Sequence, residues 1–198
     1  MKFTKYGNDP NHFFTQENNA IDTFRKKTGE PYWRETCGQT SMCNGAAAVS
    51  LENRDRLLKK PEYPLWTPQP EDLLFLWLND PRNQAILQKV RSLDDSVVPS
   101  RVAQYLPVGL KHVFGIDAMF NWGISEKLLI DSLDKGNAVT VWLKMPDHYE
   151  VIVGYSDKEF IVNDSWKGRS GNTNGGFNEK IDRASLIRNC NPLRIIHY

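Results

Sequence analysis

A thiol, an imidazole and a carboxylate can together supply a nucleophile, a base and an orienting group. In this 198-residue chain Cys37, His148 and Asp164 are the set whose surroundings fit those roles. Cys37 lies in Glu35-Thr36-Cys37-Gly38-Gln39-Thr40-Ser41-Met42. Thr36 and Gln39 have the spacing of a capping box, which predicts Thr36 as N-cap and Cys37 as the first helical residue. The unpaired N–H groups and positive dipole end there favour an anion. The anionic thiolate is the nucleophilic form of cysteine. Gly38 leaves room for a substrate backbone to come close.

The other candidates are weaker. Cys43 reads as a small core residue of the same helix, and Cys190 sits in the turn-like Arg188-Asn189-Cys190-Asn191-Pro192. Three cysteines without CxxC spacing signal neither a zinc knuckle nor a disulfide framework. His12 and His197 are expected at the surface, and His112, between Lys111 and Val113, is a weak candidate. His148 follows the Pro146-Asp147 turn and opens a strand, so rigid structure would hold its ring at the rim of a sheet. A short hairpin leads from it to Asn163-Asp164-Ser165-Trp166, and the start of one strand lies beside the end of its antiparallel partner. Asp164 could therefore bond one imidazole nitrogen and leave the other facing a thiolate.

The elements that must position these residues come in two blocks. Phe13 and Phe14 are expected to pack an N-terminal arm against the rest. Thr15 is expected to cap a helix through Lys27, stopped at Gly29. The Cys37 helix follows, with Met42, Cys43, Ala46, Ala47 and Val49 at helical spacing. Residues 51–64 read as a charged surface loop. Helices are expected at Asp72–Leu78, from Asp80-Pro81 to about Val90, and from Pro99 to Leu106, with a short strand at Lys111–Phe114. Ser125 caps a helix through Leu133, with Leu128, Leu129 and Leu133 inward and Gly136 as the stop. Strands follow at Ala138–Leu143, Tyr149–Tyr155, Glu159–Val162 and Leu193–His197. Helices first and an antiparallel sheet second make an α+β chain, read as one domain over 1–198 with a helical elaboration at about 52–106.

Composition excludes more than it assigns. Hydrophobic residues at 40% and charged residues at 25% are ordinary globular values. A net charge of +1 gives no electrostatic case for nucleic acid or an anionic membrane surface. No apolar run approaches the roughly 18 residues of a spanning helix, and Met1–Tyr6 lacks the apolar core of a signal peptide, so a cytoplasmic product without membrane insertion is expected. No cofactor is called for. The oxygen-rich loop from Asn163 to Asn174 lacks EF-hand spacing and reads as solvated rather than as a metal site.

Three segments taken together, Cys37-Gly38-Gln39-Thr40-Ser41, His148-Tyr149-Glu150-Val151-Ile152-Val153-Gly154-Tyr155 and Val162-Asn163-Asp164-Ser165-Trp166, resemble the papain superfamily. The likeness is to the bacterial and phage branch related to double-glycine-leader peptidases. Asp164 lies 16 residues beyond His148 (164 minus 148), and the following Ser165-Trp166 resembles the Asn-Ser-Trp segment of papain, with Asp as orienter. The resemblance implies a papain-like fold, with Cys37 as nucleophile, His148 as general base and then acid, and Asp164 as orienter. It also implies acyl transfer through a thioester followed by hydrolysis. The family usually has a Gln six positions before the nucleophile as oxyanion donor, and here that position is Pro31. Tyr32, Gln39 and the more distant Gln16 are the substitutes considered, beside the Cys37 N–H. Trp33 and Trp166 are the aromatics expected along a substrate cleft.

The function expected from this resemblance is hydrolysis of peptide or amide bonds. Neither a transporter segment nor a propeptide accompanies the motif in these residues. The analogy therefore runs to free-standing lysins that cut peptidoglycan peptides and are released to act on the cell wall. A cytosolic or effector peptidase or acyltransferase acting on proteins would use the same three residues. An inactive papain-like binding module would keep the groove alone.

Overall fold

Helix α1 (Cys37–Val49) is built from small residues, and residues 38–48 are buried on every side. A helix with no charged residue on any face belongs inside a fold, and Gly, Ala, Ser and Thr let neighbours approach it closely. At Gly45 a Cβ would stand 2.3 Å from the His197 ring. The computed structural model describes residues 1–16, 36–59, 69–92, 97–166 and 173–198. The helix expected from Thr15 to Lys27 falls almost wholly outside the described residues.

After α1 come α2 (Leu51–Leu58), α3 (Pro70–Asn79), α4 (Gln84–Gln88) and α5 (Tyr105–Phe114). Then follow β2 (Ala118–Trp122), α6 (Glu126–Asp134), β3 (Ala138–Leu143), β4 (His148–Tyr155), β5 (Glu159–Asn163), β6 (Glu179–Asp182), α7 (Arg183–Asn189) and β7 (Cys190–His197), while β1 (Lys2–Phe3) precedes them all. The sheet is antiparallel throughout, in the order β2-β7-β3-β4-β5-β6, with β1 added alongside β4.

The two-residue period of the strands sorts their side chains onto two faces. Leu193, Ile195 and Tyr149 face α1 and join Met42, Leu74, Leu78, Leu106 and Leu110 in one core. Val139, Val141, Leu143, Ile152, Phe160 and Val162 face the other way and are covered by Leu129 and Leu133 of α6 and Leu186 of α7. Helices α3 and α5 thus bury their apolar sides against α1 in the same core that the sheet uses.

The N-terminal arm runs back along α1. Tyr6 N donates to Ala48 O at 2.9 Å, and the His12 ring bonds Ala47 O at 2.7 Å. These bonds satisfy carbonyls that the last turn of a helix leaves unpaired. His12 is therefore buried, stacked on Tyr6 with ring centroids 4.6 Å apart. His197 is also buried, bonded through Nε2 to Thr140 Oγ1 at 2.9 Å. The surface positions expected for these two histidines are corrected. His112 is exposed and stacks on Trp77 at 5.0 Å.

Several local expectations are also overturned. The charged stretch from Leu51 is helical to Leu58: Ser50 accepts from Asn53 N at 3.3 Å, and Glu52 pairs with Arg56 at 2.5 Å. Such a helix needs only Leu57 in the core, so its polarity resembles that of a loop. Lys111–Phe114 is the last turn of α5, closed by Gly115 at φ +70, and is not a strand. Pro99 opens only a 3-10 turn (Pro99–Arg101), and α5 starts at Tyr105, with Pro107 in its first turn where its missing N–H costs nothing. Asp80 does cap the next turn, but Pro81–Asn83 is 3-10 and α4 ends at Gln88. Leu128 is exposed rather than inward. Cys190 is buried and begins β7 instead of lying in a turn.

Candidate active site

Cys37 is the first residue of α1, as its position after Thr36 predicts, but the capping box does not form. Gln39 turns away and donates from Nε2 to Ser100 O at 2.8 Å. Ser41, one turn into the helix, donates to Tyr149 O at 3.0 Å and ties α1 to β4. That tie brings the start of α1 to the start of β4, where His148 stands opposite Leu143 of β3.

Strand β5 runs back beside β4, with Asn163 opposite Val151, and Asp164 follows it directly. The His148 Nε2 and Asp164 Oδ1 atoms are 2.6 Å apart, with the two side chains 3% and 0% exposed. Asp164 Oδ1 also accepts from Trp166 N at 2.9 Å. The Trp166 ring lies against the imidazole, 6.0 Å between centroids and 66° between planes. It packs edge-on beside the His–Asp pair.

With Nε2 committed to Asp164, Nδ1 is the nitrogen left to face the Cys37 thiol, whose proximity favours the protonated ring. Burial presses the imidazole toward its neutral form, but the Asp164 bond and the nearby Cys37 outweigh it and raise the His148 pKa to about 10. The protonated ring is thus held between two groups that carry or can carry negative charge.

A cleft of about 420 Å³ opens beside Cys37, lined by Gly38, Ser100, Arg101, Trp142, Asp147 and Tyr149. Trp142 and Tyr149, opposite each other on β3 and β4, stack at 5.8 Å to form its floor. The indole N–H of Trp142 donates to Asp147. Burial, with Cys37 and Asp147 nearby, raises the Tyr149 pKa and keeps its hydroxyl protonated. Apart from Gly38, these cleft residues escaped sequence reasoning. Trp142 had only its place in an aromatic and β-branched strand as a signal, and Arg101 had none.

Two of the three oxyanion candidates, Gln39 and Gln16, lie among the described residues. Gln39 is wholly buried and its amide N–H is taken by Ser100. Tyr32, like the cleft candidate Trp33, lies outside the described residues. Gln16, 2% exposed, is fastened to the residue after Asp164: its N–H donates to Ser165 O at 3.1 Å, and its Oε1 accepts from Ser165 Oγ at 2.7 Å. The amide oxygen being occupied, the NH₂ end is the one left to donate.

Among the described residues no cluster of three or more His, Cys, Asp or Glu could hold a metal ion. Residues 167–172 of the oxygen-rich loop lie outside them. The described end of that loop wraps the Glu179 carboxylate, which accepts from the N–H groups of Thr173, Asn174 and Gly176 at 2.9, 2.6 and 2.9 Å. Among the described residues no helix is long and apolar enough to cross a membrane.

No family model and no curated protein matches this chain. In three dimensions it is similar to a crystal structure named as a "putative C39-like peptidase" from Bacillus anthracis, with a TM-score of 0.53 and 11% sequence identity. The match covers 100% of this chain and 98% of that one. The likeness is one of fold, and it spans both the helical and the sheet halves.

Proposed function

We propose that this protein is a cysteine hydrolase of peptide or amide bonds, with Cys37 as nucleophile, His148 as general base and acid, and Asp164 as orienter. The observation that carries the reading is the buried His148–Asp164 bond of 2.6 Å, on an imidazole near enough to the thiol at the start of α1 for the two to interact electrostatically. The papain-like motifs and the peptidase fold agree with it.

In this mechanism the Cys37 thiolate attacks the substrate carbonyl carbon. The oxyanion that forms accepts from the Cys37 N–H and from Gln16 Nε2. His148 then gives its proton to the leaving amine, and a thioester on Cys37 remains. A water molecule, deprotonated by His148, attacks the thioester and releases the acid. Asp164 holds the ring in the tautomer that presents Nδ1 and stabilises the imidazolium.

The substrate class we propose is the peptide part of peptidoglycan, as for bacterial and phage lysins of this type. Mass spectrometry of purified peptidoglycan, and separately of a mixed peptide library, tests this with wild type and Cys37→Ala. Fragments from the wall that require Cys37 are expected. Fragments from the library alone would replace the lysin with a protein-directed peptidase, and none from either would count against hydrolysis.

A further inference from the structure

Asn44 follows Cys37 by seven residues on α1 (44 minus 37), almost two full turns, and so lies on the same side of the helix. It is completely buried. A buried amide is costly unless each of its groups has a partner. Both partners of Asn44 belong to one residue of the N-terminal arm: Phe14 N donates to Oδ1 at 2.6 Å, and Nδ2 donates to Phe14 O at 3.0 Å. The side chain thus behaves like one rung of a sheet and fixes the Phe14 peptide in both place and direction.

Two residues further on is Gln16, which reaches Ser165 by the two bonds described above, and Thr15 Oγ1 adds a third to Ser165 O at 3.0 Å. The arm therefore bridges the helix that begins with Cys37 and the segment that carries Asp164. The other anchors of the arm on α1, Ala47 and Ala48, hold His12 and Tyr6 further upstream. Among the described hydrogen bonds from the arm to the helix, the Asn44 clamp is the one nearest Gln16 in the chain.

We infer that Asn44 is a positioning residue: it sets Gln16 in register with the Cys37 helix, so that the Gln16 amide can receive the oxyanion. This rests on the cysteine-hydrolase reading given above. It assigns Asn44 no contact with substrate.

Two reactions of Cys37 separate this role from a purely structural one. Acylation by p-nitrophenyl acetate joins Sγ to the acyl carbon and expels p-nitrophenolate with the electron pair of the broken C–O bond, through an oxyanion. Alkylation by iodoacetamide displaces iodide at a saturated carbon and forms none. In Asn44→Ala the acylation rate is expected to fall about 10- to 100-fold, while alkylation at pH 6 stays within about twofold of wild type. Gln16→Ala should behave alike, and the double variant should lose no more than Gln16→Ala alone, because the two act on one step. Asn44→Asp keeps the side-chain volume and the Phe14 N–H acceptor. It supplies the same comparison if the alanine variant fails to fold. Equal loss in both reactions, no loss in either, or multiplying effects in the double variant would overturn the role of Asn44. If alkylation of Cys37 at pH 6 does not slow in His148→Ala, the cysteine-hydrolase reading itself fails, which is a different result.

Discussion

Asp164 and Gly176 are joined backbone to backbone: the Asp164 N–H donates to the Gly176 carbonyl at 2.7 Å, and a Cβ on Gly176 would stand 2.1 Å from the Asp164 carbonyl oxygen. Gly176 also has φ +84, a conformation that side chains disfavour. Its glycine therefore serves the carboxylate that bonds His148, twelve residues earlier in the chain (176 minus 164). The chain can come this close to Asp164 only without a side chain.

Gly176→Ala should then act on both stability and chemistry. Strain and contact together are expected to cost about 2 kcal/mol or more, a fall in Tm of roughly 4–8 °C for a chain of this size. Hydrolysis should fall further than the unfolded fraction explains, because Asp164 must shift. A thermal melt beside an assay at a temperature where the variant is fully folded checks this. Loss of stability with full activity would show that Asp164 does not need this loop.

Titration of His148 should depend on Asp164. Burial lowers the imidazole pKa, but its bond to Asp164 and the nearby Cys37 raise it from 6.5 to about 10. A raised histidine stabilises the fold fully below the unfolded value of 6.5, and that contribution is lost as pH rises through about 10. Asp164→Ala removes one of the two groups that hold the proton. The His148 ring signals in NMR should then titrate more than one pH unit lower than in wild type. An unchanged midpoint would mean that Asp164 does not control the charge of the ring.

Much of the frame is legible in the amino-acid order because its signals are local. The β-branched and aromatic residues of Ala138–Leu143 and Tyr149–Tyr155 mark two strands within a residue of their observed limits. Ser125 caps α6 as its position predicts. The segments bearing Cys37, His148 and Asp164 were each legible from a helix start or a strand end. Strand β6 and helix α7 were not foreseen: each is short, and α7 depends on Asp182 accepting from Ser185 N at 2.9 Å for its first turn. The cleft floor was illegible for a different reason. Trp142 meets Tyr149 through strand register, and Ser100 and Arg101 arrive from a 3-10 turn whose placement depends on α3 and α5. Gln39 was misread because Ser100 O, 61 residues away, competes with the local cap and wins.

Glu71 should make the protein less stable as pH rises through neutrality. It lies in the first turn of α3, 1% exposed, with no side-chain partner for its carboxyl oxygens among the described residues. Burial pushes its pKa from 4.5 up to about 8. The folded state thus holds a proton that the unfolded chain releases. The contribution is complete below 4.5 and is lost between 4.5 and 8, at about 1.4 kcal/mol per pH unit where only the unfolded chain is ionised. In Glu71→Gln, urea unfolding at pH 5 and pH 8 should lose that difference. If wild type and variant keep the same slope, Glu71 is not protonated in the fold.

His197 opposes Glu71 on the acid side. Complete burial lowers its pKa from 6.5 to about 3, so the folded state keeps it neutral. Its contribution is present above 6.5 and is lost as pH falls from 6.5 toward 3. Between 4.5 and 6.5 the unfolded chain binds a proton at His197 and releases one at Glu71, and the two slopes cancel. Below 4.5 only the His197 loss remains of this pair, joined by carboxylates such as Asp80 and Asp182, whose hydrogen bonds lower their pKa values. Above 6.5 Glu71 and His148 both draw stability down. Stability should therefore be nearly flat from pH 4.5 to 6.5 and fall on either side. His197→Phe should turn the plateau into a decline that begins at pH 4.5, and Glu71→Gln should turn it into a rise that continues to 6.5. Urea titrations at half-unit pH steps read all three curves. A plateau that survives both substitutions would show that neither buried group shapes it.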